Sequence, residues 1–200
     1  MKFVEPVLLE GKHVRLEPMA RERSAAIASA LAVAASDGNM WESKVTTIPR
    51  PEKTLAYVET ALAELDAGTS MPFVTIDRES GNAVGSTRYM NIEGAHRRLE
   101  IGTTWIGKSF QRTAINTEAK YLMLKHAFEA LRCIAVDLRT HEKNLQSRAA
   151  IERLGAKLDG LLRNHRIMPD GSLRNTATYS IIDTEWPAVK SRLEARLAAA

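Results

Sequence analysis

The sequence contains very little cysteine, with Cys133 alone among 200 residues. A single cysteine excludes a disulfide within the chain, and no cysteine or histidine cluster surrounds it to form a metal site. Its apolar neighbours Leu131, Ile134 and Val136 instead predict that the thiol packs in the core. We therefore expect a chain that works in a reducing compartment, the cytoplasm, with no bound metal.

Long apolar runs are absent as well. No stretch of about 18 apolar residues occurs, so the sequence predicts no membrane-spanning helix and no membrane partner. The beginning of the chain, Met1 to Leu16, has neither a long apolar segment nor a small-residue cleavage site, so no signal peptide is expected.

A large excess of one sign of charge is also absent, since the formal net charge is only +4. The basic residues form no stripe with interleaved aromatics, and the pair Arg97-Arg98 is short and offset by nearby acids. We therefore expect no nucleic acid as partner. The mild basic excess suits an anionic ligand, although charge alone does not identify one.

Apolar residues, in contrast, are plentiful enough for a core: they make up 44% of the chain, and the 26% of charged residues are scattered. A domain usually has about 100–200 residues, so residues 1–200 are predicted to form a single domain.

Hydrophobic periodicity and turn residues predict a β-α-α-β-β-β-α-β-α-β-β-α order. The unit from Arg98 to Arg139 is predicted to be a right-handed crossover between parallel strands, with the other strands antiparallel. The fold class is therefore α+β, a mixed and mostly antiparallel sheet of about seven strands flanked by helices. The strands are expected at 13–17, 73–77, 83–92, 98–106, 133–139, 156–167 and 174–182, and the helices at 21–35, 51–67, 113–131, 144–154 and 185–199.

Three motifs carry a resemblance to a known family. Residues 99–106 read Leu-Glu-Ile-Gly-Thr-Thr-Trp-Ile, residues 111–119 read Gln-Arg-Thr-Ala-Ile-Asn-Thr-Glu-Ala, and Asn144-x-x-Ser147 is followed by Arg153-Leu154-Gly155. With the element order, they resemble the GNAT N-acetyltransferases, and the RimJ/RimL-type branch in particular. At the level of motifs the likeness covers about residues 83–182. It implies a GNAT fold with a splayed parallel strand pair and acetyl-coenzyme A as cosubstrate.

The loop before the long helix is the motif for which the resemblance implies cofactor binding. In the family it reads Gln/Arg-x-x-Gly-x-Gly/Ala, and its backbone N–H groups hold the pyrophosphate, as a helix start can. Gln111 matches, whereas Ala114 and Asn116 replace both glycines. Taken alone, the segment is equally typical of an ordinary helix start. The resemblance implies cofactor contacts by the strand end and this loop, at Trp105, Ile106, Gln111, Arg112, Thr113, Ala114, Ile115 and Asn116.

Asn144 and Ser147 form the second constellation. Taken alone, the pair is typical of a helix N-cap and first turn. Ser147, however, shares a helical face with Ile151 and Leu154, and that face is expected to pack on the sheet. The resemblance implies that Asn144 contacts the pantetheine arm and that Ser147 hydrogen-bonds the departing thiolate.

Glu100 is the candidate general base. Alternation predicts that Glu100 and Gly102 share a face with Thr104, opposite the face of Leu99 and Trp105. A solvated strand glutamate is the alternative. Asp137 is a rival base, although an ion pair with Arg139 is the preferred interpretation of it, and His141 and His165 are further titratable candidates without distinctive spacing.

The acceptor site has the weakest pattern. The resemblance indicates the loop that holds Trp41, while Trp41 as a cover for the core edge is the alternative. Tyr89, Met40 and the 168–173 turn are expected beside it, without a diagnostic pattern. A protein N-terminus and a small-molecule amine both remain open as acceptors. The implied reaction is direct attack in a ternary complex, and the competing hypothesis is a non-catalytic module that binds coenzyme A or another anion. A homodimer is a further expectation, with no residue pattern behind it.

Overall fold

The structure, a computed structural model, describes residues 2–42, 48–168 and 170–199, and of Met40 the backbone alone. Over these residues, five α-helices lie among the strands in the predicted order, and 3-10 turns at Arg21–Arg23 and Pro51–Lys53 lead into the first two helices. The helices are α1 Ser24–Ser36, α2 Thr54–Asp66, α3 Ala114–Lys125, α4 Leu145–Leu154 and α5 Trp186–Ala198. The strands are β1 Leu9–Glu10, β2 Val14–Pro18, β3 Ser70–Asp77, β4 Ala83–Glu93, β5 Arg98–Ile106, β6 Ala135–His141, β7 Lys157–Ile167 and β8 Leu173–Ile182.

The strands form one mixed sheet in the order β1-β2-β3-β4-β5-β6-β8-β7. Strands β5 and β6 are parallel and every other neighbouring pair is antiparallel, which confirms the predicted fold class. The described residues give eight strands rather than about seven. The additional strand, β1, has two residues, too few for alternation to reveal.

Helices cover both faces of the sheet. The larger core lies under α3, α4 and α5 and includes Tyr89, Val136 and Tyr179. A smaller core joins α1 and α2 to the other face and includes Leu31 and Trp105. Among the described residues, none of the helices combines the length and apolar character needed to cross a membrane.

Several element boundaries differ from the prediction, and the start of β3 and the end of the long helix are informative examples. Pro72 lies inside β3 rather than before it, and its carbonyl accepts a hydrogen bond from the Met19 N–H. The long helix, expected to continue to Leu131, changes to a π turn over His126–Ala130, where the Leu131 N–H donates to the His126 carbonyl. Cys133 follows this turn with 2% of its surface exposed, which confirms that it packs in the core.

Candidate active site

A fork between β5 and β6 is the central feature of the site. The parallel ladder pairs Arg98 with Ala135, Leu99 with Val136 and Glu100 with Asp137, and there it ends. Within the described residues, β5 from Ile101 onward has no ladder partner on this edge, so the strands diverge. Unpaired strand edges present backbone N–H and C=O groups that an extended ligand can bind.

A β-bulge follows in β5, just beyond the fork. Gly102 pairs with Arg88 and Trp105 with Ser86, so Thr103 and Thr104 together lie opposite Thr87. Thr103 has a φ of 46°, a left-handed conformation that is strained for a β-branched residue. Gly85 on β4 makes room for the strand: a Cβ there would lie 2.1 Å from the Trp105 carbonyl oxygen.

The bulge overturns the predicted face assignment. Trp105 packs in the smaller core with α1 and α2, whereas Leu99 and Ile101 belong to the larger core. The Thr104 hydroxyl lies on the α3 side, within hydrogen-bond distance of Lys120. An inserted residue reverses the alternation of every side chain that follows it.

Glu100 lies at the base of the fork, as the last residue of the paired segment. It is 5% exposed, and Asn91 Nδ2 donates to its Oε2 at 2.7 Å. Arg139 Nε lies 3.4 Å from the same oxygen. Burial raises the pKa of Glu100, while Arg139 and Asn91 oppose that rise. A buried carboxylate with raised pKa is suited to accepting a proton near neutral pH.

The other titratable candidates are engaged elsewhere. Asp137 pairs with Arg98 at 2.8 Å and with Arg139 at 3.4 Å, which confirms the predicted ion pair. His141 Nδ1 accepts the Lys143 N–H, and burial lowers its pKa. Burial, followed by the charge of nearby arginines, likewise lowers the pKa of His165.

The predicted cofactor loop forms the start of α3. Thr113 is its N-cap and accepts the Ile115 N–H at 3.3 Å. Ala114 and Asn116 are half-buried in the first turn, while Arg112 is exposed with a φ of 62°. The side chains of Trp105, Ile106 and Ile115 are buried in the two cores, so these three residues offer a ligand backbone groups only.

The start of α4 meets this loop. Asn144 Oδ1 accepts the Ser147 N–H at 3.0 Å, so the predicted cap is confirmed. Ser147 is half-buried, with Ile151 and Leu154 buried along the same helical face. Gln146 Nε2 donates to Gln111 Oε1 at 3.4 Å, which ties the two helix starts together beside the fork.

The two predicted acceptor residues differ in how much of their surface is exposed. Trp41 is half-buried, with the Arg50 guanidinium 4.7 Å from its ring centre. Tyr89 has no exposed surface, and its hydroxyl donates to the Met123 carbonyl at 2.7 Å. This burial removes Tyr89 from the acceptor site. The Met40 side chain and Pro169 of the 168–173 turn lie outside the described residues.

Sequence reasoning missed Lys120, which lies on α3 with 6% of its surface exposed. Its Nζ donates to the hydroxyls of Thr104 and Thr87. Burial lowers the pKa of Lys120 to about 7. Its spacing from Leu124 and Ala127, four and seven residues on, places it on the buried helical face and is the signal that could have identified it.

Comparison with known proteins gives consistent results. A GCN5-related N-acetyltransferase from Brucella melitensis superposes with a TM-score of 0.82 at 30% identity, over 97% of this chain and 86% of that one. Mycobacterium smegmatis RimJ, solved in complex with CoA-disulfide, gives 0.72 at 25% identity, over 92% and 88%. YdaF of Bacillus subtilis (strain 168), provisionally named a ribosomal N-acetyltransferase, is 31% identical over 55% of this chain, and the match covers 59% of YdaF.

The mixed sheet with its forked parallel strand pair is therefore a fold that this chain shares with solved acetyltransferases. Residues 13–157 match the Acetyltransferase (GNAT) domain family, and the chain belongs to that family.

Proposed function

We propose that the chain transfers an acetyl group from acetyl-coenzyme A to a primary amine. The fork carries this proposal, because it sets a buried carboxylate at its base and two linked helix starts at its side. Glu100 supplies the carboxylate, and Gln111 and Gln146 link the helices. The CoA complex of RimJ, a structure with the same fold, is a second support.

Acetyl-coenzyme A is proposed to enter the fork with its pantetheine arm along the unpaired edge of β5. Its pyrophosphate would meet the start of α3, where unpaired N–H groups and the helix dipole favour anions. Ala114 and Asn116 lie in that first turn, and Gln111 and Arg112 precede it. The small side chain of Ala114 keeps the approach to the backbone open. Asn144 would border the pantetheine arm while it caps α4.

The proposed reaction is direct attack in a ternary complex. Glu100 takes a proton from the acceptor ammonium, and the neutral nitrogen attacks the thioester carbonyl carbon. Backbone N–H groups near the bulge stabilise the oxyanion that forms. The C–S bond then breaks, the attacking nitrogen gives up its second proton to the departing sulfur, and Ser147 donates a hydrogen bond to that sulfur as it leaves. A thiol of pKa about 8.5 needs only modest help to depart.

Cys133 is not part of this scheme. It is buried, and burial raises the pKa of its thiol to about 11, so little thiolate is present near neutral pH. Mass spectrometry after mixing with acetyl-coenzyme A, without acceptor, checks this step. A covalent acetyl-enzyme that disappears when an amine is added would contradict direct attack.

The acceptor class takes its support from the relatives. A protein N-terminus is the proposed acceptor, and the provisional name of YdaF, a ribosomal N-acetyltransferase, supports an amine of a ribosomal protein. A small-molecule amine is the alternative acceptor. Trp41 is proposed to border the acceptor, since it is half-buried in the segment after α1.

The experiment combines binding with turnover. Acetyl-coenzyme A is titrated into the protein by calorimetry, with desulfo-coenzyme A as the non-reacting comparison. Peptides with free N-termini and small amines are then screened for release of free thiol. Micromolar binding together with acceptor-dependent thiol release is expected. Binding without release for any acceptor would favour the non-catalytic module, and absence of binding at millimolar ligand would contradict both functions.

A further inference from the structure

A buried lysine lies directly beneath the β5 bulge. Lys120 on α3 is 6% exposed, and its Nζ donates to Thr104 Oγ1 on β5 and, at 3.3 Å, to Thr87 Oγ1 on β4. The two threonine oxygens are 2.7 Å apart. The ammonium group therefore bridges the two strands at the rung where the bulge occurs.

Within the described parts of the chain, no carboxylate pairs with this ammonium group. Thr87 and Thr104 are the groups that β4 and β5 direct at Lys120, and neither is ionisable. The acids on the elements packed around it have other partners. Glu118 on α3 accepts three backbone N–H groups from residues 12–14, and Glu194 on α5 accepts the Tyr121 hydroxyl. Burying an unpaired cation costs stability, and such costs are retained mainly at functional sites.

The hydroxyl that Lys120 contacts also spans the bulge. Thr104 Oγ1 lies 3.4 Å from the Gly102 carbonyl oxygen, two residues back along the strand. Between them lies Thr103, whose φ of 46° is the strained conformation that the bulge requires. Strain of this kind persists when surrounding contacts enforce it. The Lys120–Thr104–Gly102 chain is such a contact, and it joins α3 to the strand that borders the fork.

We propose that Lys120 is a positioning residue for acetyl transfer: through Thr104 it holds the Gly102–Thr104 bulge, and thereby the backbone N–H groups that face the thioester oxygen. This inference rests on the proposed function. Lys120 does not contact the substrate in this scheme. It acts by fixing the direction of strand N–H groups, and oxyanion stabilisation depends closely on that geometry.

The test compares three substitutions that interrupt the chain at different points. Lys120→Met removes the donor, Thr104→Val removes the hydroxyl that accepts from it, and Lys120→Gln keeps N–H donors. Lys120→Met and Thr104→Val should each lower kcat by about 30-fold or more, with KM for acetyl-coenzyme A within about threefold. Lys120→Gln should recover part of the loss. The double variant should be no slower than the slower single variant, because both changes interrupt one contact.

Lys125→Met is the matched control, since Lys125 is an exposed lysine on the same helix. Its kcat should stay within about twofold of the unmodified protein. Melting curves of all variants verify that each is folded. A Lys120→Met protein with unchanged kcat, or a double variant whose losses multiply, would overturn the proposal.

A second measurement does not depend on turnover. Backbone amide signals of residues 103–105 are followed by nuclear magnetic resonance as acetyl-coenzyme A is added. In the unmodified protein and in Lys125→Met, these signals should have similar chemical shifts and should change in the same way as acetyl-coenzyme A binds. In Lys120→Met, their chemical shifts should differ before the ligand is added and should change differently on binding. If the unmodified protein binds acetyl-coenzyme A but transfers no acetyl group, the proposed function fails. The chemical shifts of residues 103–105 still show whether Lys120 fixes the conformation of the bulge. Identical spectra with and without Lys120 would refute it.

Discussion

One ionisable side chain is buried against each face of strand β5, but the two side chains have different kinds of partner. Glu100, on one face, has Asn91 and Arg139 within reach of its carboxylate. Lys120, against the other face, has two threonine hydroxyls as partners and no acid among the residues that the structure describes. Burial disfavours the charged form of both groups, so the pKa of Glu100 is raised and that of Lys120 is lowered.

The difference separates two ways of using a buried charge. Around Glu100, each neighbour that stabilises the carboxylate can be removed by a single substitution, so its proton affinity is adjustable. Around Lys120 burial is the cause of the shift, and the hydroxyl partners fix direction rather than charge. The first arrangement suits a group that exchanges a proton during the reaction, and the second suits a group that holds a strand in place.

The largest expected effect tests the first face. Glu100→Gln keeps the shape and removes the proposed base, so kcat should fall by about 10²–10⁴-fold at neutral pH. Initial rates of thiol release measure it. Asp137→Asn on the neighbouring strand is the matched control and should stay within about tenfold. A larger loss in Asp137→Asn than in Glu100→Gln would transfer the role of base to Asp137.

The next effect concerns stability on the second face. The pKa of Lys120 is about 7 when folded and about 10.5 when unfolded. Between these values the unfolded chain binds more protons, so folding stability rises with pH, and below about 7 the folded chain bears the full cost of the buried ammonium. Lys120→Met should therefore raise Tm by several degrees near pH 6, and the gain should shrink by about pH 9.5.

Thermal unfolding of the two proteins at both pH values measures this difference. Lys125→Met should show a Tm difference that does not change with pH. An equal gain for Lys120→Met at both values would mean that Lys120 is not buried as an unpaired cation.

A smaller effect sharpens the account of Glu100. Arg139 lowers the pKa of that carboxyl group, so Arg139→Gln should raise it further. The acidic limb of the kcat/KM profile should then move upward by up to about one pH unit, because the base becomes ionised only at higher pH. A full pH–rate profile measures the shift. A limb that moves downward would contradict the assignment of Glu100.

The smallest effect concerns the leaving group. Ser147→Ala should lower kcat by only about three- to thirtyfold, since the departing thiol needs little assistance. The affinity for acetyl-coenzyme A should change less than kcat, which calorimetry beside the rate assay can separate. A fall in kcat as large as that of Glu100→Gln would mean that Ser147 does more than donate a proton or a hydrogen bond to a thiolate.

Local patterns predicted most of the fold. Strand β5 begins and ends at the predicted residues, and Asn144 caps α4 as its residue type favours. The bulge escaped prediction because period-two counting assumes a regular strand, and one inserted residue moved Trp105 to the opposite face. Lys120 was not predicted because lysine is ordinarily a solvent-exposed residue, and only its spacing from buried residues of α3 places it on the face toward the sheet.

Tyr89 shows a further limit of sequence reasoning about sites. A tyrosine on a predicted strand is equally compatible with a pocket wall and with the core, because its ring is apolar and its hydroxyl can find a partner in either place. Its burial depends on Phe73 and Met123, which lie far from it along the chain. The sequence pattern around Tyr89 does not predict those contacts.

Gly85 has a consequence for the size of the group that can be transferred. It lies on β4, on the side of β5 away from the fork, yet any side chain there would collide with the Trp105 backbone. Relieving that collision would push β5 toward β6 and narrow the gap between them. Under the proposed function, the room for an acyl chain in the fork is then set partly from a neighbouring strand, and a substitution at Gly85 should change the preference for acetyl over longer acyl donors without altering a residue that the donor touches.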